Sequence, residues 1–305
     1  MPPANLSRAA LPSRRAAAAH RAEWRFAYLC LLPALLLVLV FRAFPLAWGF
    51  VLSFTDSTGI GPARFVGAAN YAQALADPTF RASVVNTLFL LATLPVWVAL
   101  PMVLAILIHQ GVPGGRLFRA VYFFPAVLSS VIIGSIFNVV LRFDGSLNAL
   151  LKLVGISAVD WLGDSSTALA SLIAVQFWST FGMGVLIFLA GLSTVPQDMV
   201  EAARLDGAGL WQTWLYVIVP SLRPIIEFTA VVTTIGVLTS MFGLIYVLTA
   251  GGPGTATTLP EFLIWLEQGK LNQPAYAAAL SMMLFVMMAG LAWLQIRIMA
   301  RNAEI

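Results

Sequence analysis

Charge is scarce in this sequence. Of 305 residues, 10% are Asp, Glu, Lys or Arg, against about 25% in an ordinary soluble domain. That excludes a typical cytosolic enzyme or nucleic-acid module. Cysteine is nearly absent: Cys30 stands alone, so there is no internal disulfide and no multi-cysteine metal site. The two histidines, His20 and His109, flank apolar runs and offer no converging ligand set. The chain has no G-x-x-x-x-G-K-[S/T] loop to cradle ATP phosphates. It also lacks H-E-x-x-H, paired intramembrane aspartates and G-x-S-x-G, which argues against an intramembrane enzyme.

What is present is apolar. Hydrophobic residues make up 60% of the chain, and mean hydropathy is +0.90. Disorder needs the opposite balance. The formal charge of +4 comes from short Arg/Lys clusters between apolar runs. Those clusters fit membrane orientation rather than nucleic-acid binding.

Six segments match the roughly 20 apolar residues that cross a hydrocarbon core: 26–50, 84–108, 120–141, 168–191, 226–249 and 276–298. They are too long for barrel strands and show no period-2 alternation. Arg8, Arg14, Arg15, Arg21 and Arg25 precede the first run, and Arg42, Phe44, Pro45 and Trp48 follow where a signal peptide would carry small residues. An uncleaved first span is expected. Six spans put both termini on one side, which the basic arm makes cytoplasmic. Arg116, Arg119, Arg204, Arg223, Arg297 and Arg301 then fall inside. Arg64, Arg81, Arg142, Lys152 and Lys270 fall outside.

Pro33, Pro45, Pro95, Pro101 and Pro125 interrupt spans. Each removes a backbone donor. They fit either static packing geometry or a bundle that flexes during transport. Glu227 is the one carboxylate within the six spans, and Arg223 lies one turn away as an i,i+4 partner. A self-sufficient ion-coupled transporter would want more ionisable groups inside the membrane and repeated halves.

The loop after the fourth span is patterned. Thr194 and Gln197 have capping-box spacing. Pro196 suits a first turn, Asp198 suits the positive end of a helix dipole, and Gly207 suits a C-terminal stop. A short helix over about 195–206 is expected, then a second over about 210–219 that ends at Pro220. Arg204 is the lone cation of the first helix. A helix lying on lipid would carry more, so the elbow points to a protein partner.

Here the residues resemble a known family. Glu201-Ala202-Ala203, three residues, Gly207, nine residues, then Val217-Ile218-Val219-Pro220 is similar to the EAA motif of ABC-importer permeases, EAA-x3-G-x9-I-x-L-P. Val217 and Val219 replace its Ile and Leu. Stretches 161–164, 188–192, 245–253 and 276–281, with Phe65-Val66-Gly67 and Asn70-Tyr71, resemble the carbohydrate branch, typified by maltose and glycerol-phosphate permeases. The larger maltose-type subunit has extra N-terminal spans and a large outward insertion that do not occur here.

The resemblance implies an all-α integral membrane protein of the MetI-like permease fold, with six transmembrane helices and a cytoplasmic coupling-helix elbow. Residues 1–25 would be a cytoplasmic basic arm, 26–83 the first transmembrane helix and outward loop, and 84–300 a core of five transmembrane helices. Glu201, Ala202, Ala203, Asp206 and Gly207 would couple to an ATPase. The chain itself would be non-catalytic and hold no cofactor, with ATP and Mg on the partner ATPase. Implied partners are a dimer of cytoplasmic ABC ATPase subunits, a second homologous permease subunit and an extracytoplasmic solute-binding protein that docks on outward loops including Gly251–Gly254. The setting would be a bacterial or archaeal plasma membrane, with membrane lipid around the chain and no nucleic acid. For the substrate path, the resemblance implies Gln176, Trp178, Ser179, Thr180 and Met183, then Thr234, Leu238 and Met241. Gln176 offers amide groups for the hydroxyls of a carbohydrate or polyol. Trp178, Phe181 and Phe242 offer stacking faces. Helix–helix hydrogen bonding is the alternative role for the Ser, Thr and Gln of this set.

Overall fold

The computed structural model describes residues 14–110 and 115–303. Residues 1–13 of the basic arm lie outside the described residues, as do the side chains of Arg14, Arg15, Arg21, Arg116 and Arg119. The described residues are helical apart from turns and one isolated antiparallel bridge, Thr55 with Phe65. The chain divides into residues 1–52 and 53–305.

The described part of the first unit is one long helix, apolar from Phe26 onward. It runs as α1 (Arg14–Val38), a wide turn over Leu39–Ala43, and α2 (Phe44–Leu52). In the wide turn the Phe44 N–H bonds to the Leu39 carbonyl, five residues back. Pro45 follows at once and has no N–H for the Phe41 carbonyl. The turn widens where the proline takes a donor away.

The second unit holds the remaining helices. A short α3 (Ala69–Ala76) meets α4 (Pro78–Ala92) at Asp77, whose side chain caps α4 by accepting the Thr79 N–H at 2.8 Å. α5 (Leu94–His109) continues α4 after Thr93. Then come α6 (Gly115–Val127), α7 (Ser130–Val140), α8 (Ser146–Leu153) and the long α9 (Ala168–Leu192). The elbow consists of α10 (Gln197–Leu205), α11 (Leu210–Thr213), a wide turn over Trp214–Ile218 and α12 (Val219–Ser221). α13 (Arg223–Thr239), α14 (Phe242–Leu248), α15 (Pro260–Gly269) and α16 (Pro274–Ala303) complete the chain.

Four stretches are long and apolar enough to cross a membrane: Glu23–Leu52, Pro78–His109, Ala168–Leu192 and Pro274–Arg301. Two bent pairs bring the number to six. The third expected span, 120–141, is broken, and its halves meet at 113°. Ser129 is the cause, because its hydroxyl accepts the Ile132 N–H and starts α7 in a new direction. The fifth expected span, 226–249, also differs. Its helix stops at Thr239 and restarts at Phe242. At its other end, α12 and α13 meet at Leu222 with a 68° bend.

α9 packs against α5 and α6. Ala105, Ile106, Ile108, Val185, Phe188 and Leu192 form one buried cluster with Trp214, Ile218 and Leu222 of the elbow. A second cluster joins Leu90, Trp97 and Leu172 to Met241, Leu244 and Ile245. Inside a bilayer, lipid tails are as apolar as leucine, so van der Waals fit holds such helices together. Small residues permit that fit. A β-carbon at Gly184 would stand 3.0 Å from the Pro101 ring, and one at Gly182 would overlap the Tyr122 carbonyl.

At the end of the bundle away from the elbow, Tyr276 donates to Asp77 Oδ2 at 3.0 Å. Glu267 is buried close by. Burial first, and then the charge of Asp77, hold its carboxyl above the ordinary value. The folded state therefore takes up a proton that the unfolded chain releases sooner. The resulting stabilisation is complete below the unfolded value and is lost as pH rises through the folded one. Detergent-solubilised protein should lose stability as pH rises above the ordinary carboxylate range, and Glu267→Gln should reduce that dependence, the rest belonging to Glu261, whose burial pushes its carboxyl up to about 7. A pH-independent difference between wild type and variant would contradict this assignment.

Candidate functional site

The elbow is built by local rules. Pro196, in an extended conformation, opens α10, and Asp198 lies in its first turn. The expected capping box does not form. Thr194 instead donates its hydroxyl back to the Gly191 carbonyl at 2.7 Å, because α9 ends there with carbonyls to satisfy. The expected glycine stop does form. Gly207 has φ +81°, its N–H bonds to the Arg204 carbonyl, and the Ala208 N–H reaches the Ala203 carbonyl. These two bonds make a Schellman cap, which needs the left-handed conformation glycine adopts freely. Gln212 then accepts the Gly209 N–H at 2.8 Å and starts the second helix.

That second helix runs past its expected end. Its wide turn closes with the Val219 N–H on the Trp214 carbonyl, five residues apart. Pro220 follows and leaves the Tyr216 carbonyl without its i+4 donor. Trp214, Ile218 and Leu222 are four apart and all buried. An ordinary helix would rotate them gradually off one line, and the wide turn keeps them on one stripe. So the wide turn is anchored through Trp214 and Ile218, while no residue of α10 is fully buried. Met199 is 51% exposed and Leu205 89%. Glu201, Ala202, Asp206 and Gly207 are exposed beside them, and Ala203 is half-buried. None of the charged groups of α10 forms an ion pair among the described residues.

Within the bundle, a cavity of about 170 Å³ lies between α5, α9 and α13. Gln176, Thr180 and Met183 of the expected path line it. Gln176 is buried and donates to Ser240 Oγ at 3.1 Å, across the break in the fifth span. Thr180 donates to the Gln176 carbonyl at 3.0 Å. The other path residues are placed elsewhere. Ser179 is buried and bonds to the Gln176 carbonyl at 2.8 Å. Trp178 sits edge-on to Phe137 at 5.1 Å, outside the cavity. Thr234 accepts a hydrogen bond from Gln295 of α16 at 2.7 Å, so it joins two helices. Leu238 and Met241 are buried in the core.

The cavity also has walls that the motif comparison did not name. Trp97 and Phe177 meet edge-to-face at 5.4 Å and form one side. Thr229, Thr233, Gly236 and Ser240 form a small polar stripe along α13. The Thr229 hydroxyl is buried without a hydrogen-bond partner. The signal was present in the sequence, since 229, 233, 236 and 240 follow helical spacing. The expected docking loop is partly inward. Gly251 is buried, with φ +86°, and a β-carbon there would meet the Phe262 ring at 2.8 Å. Gly254 and Thr255 remain exposed. Among the described residues no cluster of His, Cys, Asp and Glu is suited to a metal.

Residues 31–298 match the model of a family described as the binding-protein-dependent transport system inner membrane component. The chain belongs to that family. It is therefore a multi-pass membrane permease subunit of a binding-protein-dependent importer. Among its relatives is the multiple sugar-binding transport system permease protein MsmF of Streptococcus mutans, 35% identical over 90% of this chain and 94% of the relative. Another is the trehalose/maltose transport system permease protein MalF of Thermococcus litoralis, 31% identical over 87% of this chain and 90% of the relative. The fold matches a crystal structure of a bacterial ABC transporter involved in the import of the acidic polysaccharide alginate. That match has a TM-score of 0.83 at 21% identity and covers 94% of this chain and 99% of the other. In this chain Glu201, Ala202 and Ala203 lie on a separately capped helix, and Gly207 lies just past its end.

Proposed function

We propose that this permease forms half of the translocation path of an ATP-driven sugar importer, with α10 as its coupling helix. Both termini and the elbow face the cytoplasm. A dimer of ABC ATPase subunits, carrying ATP and Mg, seats α10. A second, homologous permease subunit completes the path, and a solute-binding protein delivers the sugar from outside. The chain carries out no chemistry of its own.

The observation that carries this reading is α10 itself. A nine-residue helix with no fully buried residue, with Val200 turned to the core cluster and Leu205 and Met199 left exposed, is built to be covered. Its Schellman cap fixes it as a rigid lever, and the Trp214–Leu222 stripe roots the next helix in the same cluster as α5 and α9. Movement of the elbow would thus reach the helices that line the membrane cavity. The relatives' sugars give the substrate class. Gln176, Thr180, Thr229, Thr233 and Ser240 supply hydroxyl-matching groups, and Trp97 and Phe177 supply flat apolar faces. At about 170 Å³ the cavity is below the ~300–1,000 Å³ of ordinary ligand sites, as suits one half of a shared path.

The test is co-purification followed by transport. The tagged chain, drawn from its native membrane in mild detergent, should bring an ATPase and a second permease. In proteoliposomes that assembly should accumulate the sugar held by its binding protein only with ATP. Uptake by this chain alone would overturn the reading.

A further inference from the structure

The elbow encloses a second cavity, of about 500 Å³, on its bundle-facing side. Its floor is the end of α5 and α9, marked by His109, Gln110 and Leu192. Its roof is one stripe of α10: Gln197, Glu201 and Arg204, spaced i, i+4, i+7. The Trp214 indole lines it, is 4% exposed, and has an N–H with no hydrogen-bond partner. Among the described residues none of the side chains of His109, Gln110, Gln197, Glu201 and Arg204 is committed to a hydrogen bond or ion pair. Val200 and Ile218 add apolar wall.

This chemistry selects a ligand class. Glu201 and Arg204 bring one charge of each sign, so the cavity has no net pull on an ion. The carbonyl ends of α5 and α9 at its floor oppose an anion further. What remains is a mixture of donors and acceptors around an aromatic face. Arg204 and the indole N–H donate only, Glu201 accepts only, and the amides and imidazole do both. A neutral polyhydroxyl ring matches that mixture: each hydroxyl can donate and accept, and its C–H face suits Trp214, Val200 and Ile218. The volume falls within the ~300–1,000 Å³ of small-molecule sites.

Position gives the ligand's source. α9 lines both cavities, with Ile187 at the upper one and Leu192 at the lower. Five helical residues span about 7.5 Å. A sugar leaving the membrane cavity thus emerges beside the lower one. We propose that the cavity beneath the coupling helix binds neutral sugar from the cytoplasm, and that the bound sugar ties α10 to the ends of α5 and α9. Accumulated product then opposes movement of the elbow and slows ATP turnover. The inference rests on the importer reading above and adds feedback to it.

The test uses the complete importer in nanodiscs, without its binding protein. Maltose and trehalose serve as probes and inorganic phosphate as the anionic comparison. Saturation-transfer NMR should show both sugars binding. Gln197→Ala, an exposed position that leaves the fold untouched, and Trp214→Phe, which keeps a ring but removes the N–H, should each weaken binding about tenfold, as expected for a lost hydrogen bond. Gly290→Ala, in open space and lining neither cavity, should leave this binding in place. The same sugars should lower the ATPase rate of wild type, and higher concentrations should be needed in the two lower-cavity variants. Sugar binding lost in Gln176→Ala, in the upper cavity, but intact in Gln197→Ala and Trp214→Phe would overturn the proposal and leave the importer reading standing. So would the absence of any sugar signal from a complex that still performs ATP-driven uptake. Phosphate displacing the sugar would mark an anion site and also overturn it.

Discussion

Glu201→Lys should reduce transport-stimulated ATP hydrolysis at least tenfold while the permease still folds and inserts. The folding half of this expectation rests on exposure. Glu201 is solvent-exposed, and its carboxylate makes no ion pair among the described residues. Surface substitutions of that kind change stability by about 0.5 kcal/mol or less. The functional half rests on what an ATPase would have to cover. Once α10 is seated, an ATPase would close over the exposed side of Glu201, whose other side lines the cavity beneath α10, and disrupting a buried charge contact there would cost about 2–5 kcal/mol. Gly207→Ala separates lever geometry from charge. Gly207 has φ +81° and open space where a β-carbon would go, so the substitution meets no clash and acts through the backbone alone. The left-handed conformation costs a non-glycine residue about 1–2 kcal/mol, enough to fray the Schellman cap. Gly207→Asn should retain more coupling than Gly207→Ala, since asparagine tolerates that conformation better. The measurement is ATPase rate with and without liganded binding protein, alongside thermal melting of each variant. Normal stimulation in Glu201→Lys would remove α10 from the coupling role.

The limits of the sequence reading are physical and can be located. The apolar runs marked the membrane segments because hydropathy reports composition. Composition is blind to direction, however. Residues 120–141 are predominantly apolar, yet Ser129 caps a new helix at 113° to the one before. A serine in a membrane span is usually unremarkable, and only its extended backbone (φ −68°, ψ 148°) makes it a cap. The break at Ser240 was hidden in the same way, with Ser240 meeting Gln176 from the neighbouring helix. Gly207 was legible because a glycine after a helical pattern has few alternatives. Thr194 misled because its hydroxyl had two possible partners, and the end of α9 competed successfully. The path residues divided for a rotational reason. Thr233 faces the cavity, while its neighbour Thr234 lies about 100° around the helix and faces Gln295 instead. Motif similarity located the segment but not the side of the helix.

Gly182→Ala should force α6 and α9 apart and strongly destabilise the permease. A β-carbon at this position of α9 would overlap the Tyr122 carbonyl of α6 and stand 2.9 Å from the Phe123 α-carbon. Both obstacles are backbone, so no side chain can rotate out of the way and the helices must separate. Overpacking a well-fitted core costs about 1–3 kcal/mol when side chains can adjust, so a backbone collision should lie at or above the top of that range. The membrane sharpens the effect. Helices there are held by close fit rather than by exclusion of water, and lipid can enter a gap once the fit is lost. The damage also reaches the site, since Tyr122 meets Phe181 at 5.8 Å and Phe181 meets Phe177 at 5.3 Å along the cavity wall. Gly290→Ala in α16 is the matched control, because nothing lies within 4 Å of its added carbon. In an open helix position that change should be neutral or mildly stabilising, in line with alanine's advantage of about 1 kcal/mol over glycine. Thermal melting and the yield of inserted protein would compare the two variants. Equal melting would mean that α6 and α9 can part without cost, and that their crossing does not hold the cavity in shape.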